Sequence, residues 1–216
     1  MASLEWRIVQ QAIQECRRCE IEHVPYLRVP HGEKRRPPSE PTRPVRIYFV
    51  SVAPPWGGSY FWDEKTPDAV REGLFTSVSR SFHRKITKCS ELLDAHFFLT
   101  PAVKCPSTKN SKDRQPSGSA IRYCKHFLRD ELLAAEPQRI LALGRKPFKS
   151  LCEIFDLDAP QEVAEFRKCV WWIRLGALEI PLSGTYFPGN NRHKGFPYVA
   201  QDIEKLLQLN PRLYTD

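Results

Sequence analysis

Two hydrophobic periods divide this chain. Near its start Leu4, Ile8, Val9 and Ile13 recur at near-helical spacing and Ser3 is placed as an N-cap, so an amphipathic helix over 3–15 leads into "CRRC". From Val45 the run "VRIYFVSVAPP" is β-branched and aromatic and stops at Pro-Pro, which reads as a first buried strand. Thr66 and Pro67 have N-cap and first-turn chemistry for a helix through "DAVREGLFTSVSRSFHRKI", weakened early by Gly73. "HFFLTPAVK" is a second strand, and the polar loop "PSTKNSKDRQPSGS" separates it from the helix "AIRYCKHFLRDELLAAE". A third short strand, "PQRILALG", precedes the helix "RKPFKSLCEIF"; "CVWWIRLGALEIPLSG" forms a hairpin or strand pair, and "VAQDIEKLLQL" closes the chain as a helix. Strands alternating with helices imply an α/β fold with a parallel sheet covered on both faces. The stretch at about 31–44, "HGEKRRPPSEPTRP", is too rich in Pro and charge for helix or central strand and reads as an exposed basic connector.

The 216 residues suit a single domain over 1–216. No apolar run approaches the roughly 20 residues that span a bilayer, and the start lacks a signal peptide's pattern, so the expectation is a monomer in the cytoplasm or on the nucleoid, with no membrane partner. A net charge of +8 fits either a polyanionic partner or a solvated basic surface. Seven cysteines, an odd number, argue for a reducing compartment and for metal binding or catalysis over a disulfide framework. Open parallel sheets bind ligands beyond the carboxyl ends of their strands, which singles out the loops "SVAPPWGGSYFWDE", "TPAVKCPSTKN" and "SGTYFPGNNRHKG".

Cys16 and Cys19 form one short knuckle, and Cys105 and Cys124, with eighteen residues between them, are the candidates to complete a four-thiolate site. One short knuckle with one widely spaced pair favours an iron–sulfur cluster over zinc, while Cys105 and Cys124 also fit as small buried hydrophobes. Cys89, Cys152 and Cys169 lie in apolar surroundings and read as core.

Taken in order, "CRRC", "SVAPPW", "FLTPAVKCP", "CKHFLRDELLAAEPQRILALGRKPF" and "TYFPGNNR" resemble the uracil-DNA glycosylase superfamily, and most of all its iron–sulfur branch, family 4. The likeness runs from Cys16 to about Leu207 and is strongest from Lys104 to Gly144. The resemblance implies one three-layer domain around a four-stranded parallel sheet. It also implies a 4Fe-4S cluster on Cys16, Cys19, Cys105 and Cys124, with zinc as the alternative, and a DNA partner, single- or double-stranded, carrying uracil or another damaged base. Arg17 and Arg18 would offset the thiolate charge and face phosphate.

The chain departs from that pattern at three positions. Val52 stands where the family places a carboxylate, Pro101 where it places a base-reading asparagine, and Phe187 where it places a hydrogen-bond-donating histidine. Removing one preorganised donor costs about 2.7–4 kcal/mol of transition-state stabilisation, so three losses demand substitutes. Asn190, Asn191 and His193, or Asp63 and Glu64, sit in the same loops; Asp63 and Glu64 also fit as plain surface charges, and His193 as a phosphate contact. Val52, Ala53, Pro54, Pro101 and Phe187 would line the base pocket, and Phe75 resembles the family's stacking phenylalanine or is a core residue of its helix. Trp56, Tyr60, Phe61 and Trp62 crowd the first loop with aromatic rings, and "NNRHKG" resembles the intercalating loop, with Arg192 and Lys194 on DNA. These features imply a glycosylase of base excision repair with non-standard catalytic residues. The alternatives are a catalytically silent binder of uracil or damaged DNA, and a zinc-containing nucleic-acid-binding protein sharing only the fold.

Overall fold

Three apolar segments form adjacent, fully buried strands of the sheet. In the computed structural model, which describes residues 4–24, 40–55, 61–109, 112–158, 160, 162–189 and 195–214, strands β1 (Ile47–Ser51), β2 (Phe97–Pro101) and β5 (Ile140–Leu143) are buried at every position. Unbroken burial is what a parallel strand covered on both faces requires. The chain order is α1 (Leu4–Glu15), α2 (Arg18–Ile21), β1, α3 (Ala69–Ser81), α4 (Cys89–Asp94), β2, a small hairpin of β3 (Thr108–Lys109) and β4 (Lys112–Asp113), α5 (Gly118–Ala135), β5, α6 (Arg145–Phe155), α7 (Val163–Phe166), β6 (Trp171–Leu175), β7 (Leu178–Thr185), α8 (Gly195–Leu207) and β8 (Arg212–Leu213).

The sheet runs β2-β1-β5-β7-β6, with β8 also on β7. Its four strands β2, β1, β5 and β7 are mutually parallel, as expected, and β6 and β8 extend it antiparallel to β7. The "CVWWIRLGALEIPLSG" segment is therefore a hairpin whose second strand joins the parallel core. Phe97 meets Phe82 edge-on at the end of α3, while the neighbouring Phe98 meets Trp6 of α1 at 5.5 Å, so helical layers cover opposite faces of the sheet. Gly184 of β7 lies under the stacked rings of Phe148 and Phe166, 4.1 Å apart; a Cβ there would come within 2.5 Å of Phe166. Among the described residues no helix is long and apolar enough to cross a membrane.

The structure moves one helix start. α3 begins at Ala69, capped by Asp68, whose carboxylate accepts the Arg71 N–H at 2.7 Å. Thr66 and Pro67 lie before the helix, because Arg71, itself buried, turns its guanidinium back onto the carbonyls of Phe61 and Asp63 at 3.0 Å each, and of Thr66. The helix also ends before "HRKI": Phe82 caps it and His83 takes a left-handed φ of 49°. The short helices α2, α4 and α7 have too few residues to show a period in the sequence. Ser3 and residues 31–39 of the connector lie outside the described residues.

Candidate functional site

At the carboxyl ends of β1 and β2 the chain opens into a cleft of about 380 Å³. Backbone rungs continue the ladder past the strands, Ala102 N–H to Ser51 O at 2.8 Å and Val103 N–H to Val52 O at 3.0 Å, so the "SVAPP" and "PAVKC" segments leave the sheet side by side. Val52, Ala53, Pro54, Pro101 and Phe187 all line the cleft, as the sequence suggested for a base pocket. Gly189 lines it too, with the Phe187 ring folded so close that a Cβ at 189 would stand 2.8 Å from it.

The aromatic wall is Phe61. Phe75, which reads either as a stacking ring or as a core residue of its helix, does not line the cleft; it is buried in the core and backs Phe61 edge-on at 6.1 Å. Trp62 braces Phe61 from another side at 4.9 Å and donates its indole N–H to Leu99 O at 3.2 Å. Both rings are fixed by α3, since Arg71 holds the Phe61 carbonyl.

The polar groups of the cleft come from places the sequence did not mark. Asp68 is the one carboxylate among the described lining residues: the Arg71 N–H holds one of its oxygens, and the side chain is buried beside Phe61 and Val70. Asp63 lies outside the lining, its carboxylate accepting the Lys65 N–H at 3.1 Å, and Glu64 accepts the N–H of Cys89, which starts α4. On the facing wall stand Ser107, Arg114 and Gln115. Ser107 is fully enclosed, and its Oγ has no hydrogen-bond partner. Arg114 N–H returns to Ser107 O at 3.1 Å, and Lys146 of α6 grips Pro116 O at 2.7 Å, which seats this wall against the body of the protein. Burial, and then the charge of Arg114, lowers the Lys146 pKa. Asn190, Asn191, Arg192, His193 and Lys194 lie outside the described residues; the β7 end and α8 that flank them are joined by Thr185 Oγ1 donating to Asp202 at 2.6 Å, and the two-pronged Arg167–Asp202 pair ties the end of α7 to the same carboxylate.

A second, smaller pocket adjoins the first through Val103 and Ala53. Cys16, Cys19, Cys105 and Cys124 all line it, with Ile13, Lys104, Tyr123 and Phe127. Four thiols far apart in sequence thus converge. A hydrogen bond with Cys124 raises the Cys19 pKa most, then burial, then the charges of Cys124, Cys105 and Cys16. The same hydrogen bond lowers Cys124, aided by the Lys104 N–H and ammonium against the cost of burial. The nearby cation is therefore Lys104; Arg17 and Arg18 are exposed outside the pocket, with Arg18 lying over the Tyr123 ring at 5.0 Å. Among the described residues no three Cys, His, Asp or Glu side chains are grouped so as to hold a metal ion, a condition that tetrahedral zinc, drawing its sulfurs to within about 3.8 Å of one another, would require.

Lys104 links the two pockets. Its ammonium donates to Pro101 O at 2.6 Å, to Thr100 Oγ1 at 3.0 Å and to Glu131 of α5, while Thr100 and Gln10 also donate to Glu131 at 2.9 and 3.0 Å. Lys104 and Glu131 are almost wholly buried, so this is a paired and fully bonded charge network. Of the other cysteines, Cys89 is core, its thiol pushed up to about 12 by burial and then by Glu64, whereas Cys152 and Cys169 are half-buried.

Comparison with known proteins agrees with this architecture. The chain is 28% identical over 123 residues to the Type-5 uracil-DNA glycosylase of Pyrobaculum aerophilum, covering 51% of this chain and 49% of that one. It is 24% identical over 154 residues to ribonuclease E of Haemophilus influenzae, covering 67% of this chain and 15% of that protein. The chain thus spans half or less of the curated relatives it matches. The matched glycosylase is a type-5 enzyme, whereas the cysteine arrangement resembles family 4. A family model described as the Uracil DNA glycosylase superfamily matches residues 38–200, from before β1 into α8 and across every described wall of the cleft, and on that match the chain belongs to the uracil DNA glycosylase superfamily.

Proposed function

We propose that this protein is a DNA glycosylase that receives a flipped, deaminated base in the cleft and hydrolyses its N-glycosidic bond. The observation that carries the reading is the pairing of a buried carboxylate, Asp68, with an aromatic wall, Phe61, in one cleft at the carboxyl ends of the strands. Phe61 would stack on the base. Water attacks the sugar C1′ as the bond to the base nitrogen breaks; Asp68 orients that water and accepts its proton, and the electron pair leaves with the base. The products are an abasic site and a free base.

The facing wall takes over the work of the absent asparagine and histidine. Gln115 offers a carbonyl and an amide to the N–H and adjacent C=O that uracil, hypoxanthine and xanthine share, and Arg114 offers positive charge to the departing base anion. Asn190, Asn191 and His193 are the further candidates, with Arg192 and Lys194 on the DNA backbone. The four cysteines would hold an iron–sulfur cluster, whose contribution when bound is to cross-link α1–α2, the 102–107 segment and α5 behind the cleft. Their convergence in one pocket beside the Lys104 ammonium is what supports this reading.

A silent DNA-binding module is the second reading, favoured by the hydrogen-bond-poor floor of Val52, Pro101 and Phe187. The purified protein is incubated with single-stranded and duplex oligonucleotides carrying uracil, hypoxanthine or xanthine, then treated with alkali. Strand breaks with any of these, lost in Asp68→Asn, are the expected result; lesion-dependent gel shifts with no breaks on any substrate would sink the enzymatic reading in favour of the binder.

A further inference from the structure

The opposite end of the sheet carries a second basic recess, independent of the glycosylase reading. His96, Arg46 and Arg139 each immediately precede one of the three adjacent parallel strands β2, β1 and β5, and the strand register brings them to one edge: Arg46 N–H bonds His96 O at 2.7 Å, and Tyr48 N–H bonds Arg139 O at 2.9 Å. Together with Pro44, Phe82, Gln138 and Leu207 they line a cavity of about 460 Å³ with no carboxylate among its described lining residues.

The two arginines contribute differently. Arg139 is 5% exposed and spends its five N–H donors on neutral oxygens: Leu209 O at 2.7 Å, Arg46 O at 3.3 Å, Gln138 Oε1 at 3.1 Å, Leu207 O at 3.3 Å and Asn210 Oδ1 at 3.2 Å. Its charge is thereby fixed in the wall with no anion opposite. Burial, and then Arg46, lowers its pKa, which marks the same uncompensated field. Arg46 is the reverse case: it lies over the Phe82 ring at 4.9 Å, and its guanidinium donates to no described residue. His96 adds an Nδ1 with no hydrogen-bond partner. A buried cation without a counter-ion is costly, whereas a guanidinium fork with unused donors, positioned over an aromatic face, is suited to a tetrahedral oxyanion.

We propose that this recess binds a phosphate group, with Arg46 as the hydrogen-bonding fork, His96 beside it and Arg139 as the fixed charge. The cavity exceeds a bare phosphate, so the ligand is a phosphate carried on a larger body, either a free phosphomonoester or a backbone phosphate of nucleic acid. A five-residue strand separates this edge from the base-receiving cleft by roughly 16 Å, so a duplex seated in the cleft does not supply the phosphate from the nucleotide being read.

The test uses the full chain, with a deoxynucleoside monophosphate and a lesion-free duplex as separate titrants in calorimetry. Wild-type protein is expected to bind at least one of them about tenfold more tightly than Arg46→Gln does, with Arg46→Lys between the two, because lysine keeps the charge and loses the fork. Weakening confined to the monophosphate identifies a free phosphomonoester, and weakening confined to the duplex identifies the nucleic-acid backbone. Equal affinities of wild type and Arg46→Gln for both titrants, with the variant's melting temperature unchanged, would overturn the assignment. Lesion-dependent binding through Asp68 and Phe61 is measured alongside and is expected to survive Arg46→Gln, which separates failure of this site from failure of the cleft.

Discussion

The cysteine pocket and the cleft at the strand ends are neighbours, yet only the first brings together the residues that the family resemblance implies. All four expected thiols meet in the first. In the second the expected carboxylate, amide and imidazole positions hold Val52, Pro101 and Phe187, and polar groups enter instead from Asp68 and from the Ser107–Gln115 wall. The difference is one of geometry. Thiols drawn from three chain segments to one point leave little room for alternatives, whereas a cleft can receive a carboxylate or a donor from any of the loops around its mouth.

The sharpest way to break this comparison is Cys105→Ser or Cys124→Ser. On the proposed cluster, wild-type protein should carry iron and visible absorbance, measured by metal analysis and spectrophotometry, and either variant should lose nearly all of both; a wild type without iron, or a variant that keeps it, would show that these sulfurs are ordinary core atoms. Lys104→Met follows in size. It leaves Glu131 buried without its cation and should cost about 3–5 kcal/mol in denaturant unfolding. Asp68→Asn should lower the rate of base release about 10²–10³-fold while barely shifting the melting temperature, because asparagine is as good an N-cap. Phe61→Leu, which keeps apolar bulk but removes the ring, should weaken binding of lesion-bearing single strands by about 1–3 kcal/mol and leave lesion-free DNA nearly unaffected. The smallest effect is expected at Cys89, whose thiol, pushed up to about 12, is fully protonated at pH 8; mass spectrometry should find it unalkylated by iodoacetamide until the chain is unfolded.

The sequence is readable wherever one property decides the outcome. The parallel strands are unbroken apolar runs, and "VRIYFVS", "HFFLTP" and "RILAL" read as strands covered on both faces, which they are, although β2 lies at the sheet edge. The sulfur convergence is legible from cysteines placed at a helix end, after a strand and on the next helix. Asp68 was hidden because Thr66, Pro67 and Asp68 all suit a helix start, and only the bond to the Arg71 N–H chooses among them. Phe61 and Phe75 are equally apolar, and the turn that Arg71 ties down decides which one faces the cleft. Arg71, Lys104 and Glu131 are charges that a sequence places on the surface; their burial depends on carbonyls and partners distant along the chain. Ser107, Arg114 and Gln115 belong to a loop that reads as solvated until the Pro116–Lys146 bond folds it inward.

The two peptide rungs that carry the ladder beyond β1 and β2 use amide hydrogens and carbonyls, which every residue type except proline can supply in full. The floor of the cleft is thus indifferent to the side chains mounted on it. Such a scaffold lets substitution change the groups that line the chamber while the backbone that shapes it stays in place.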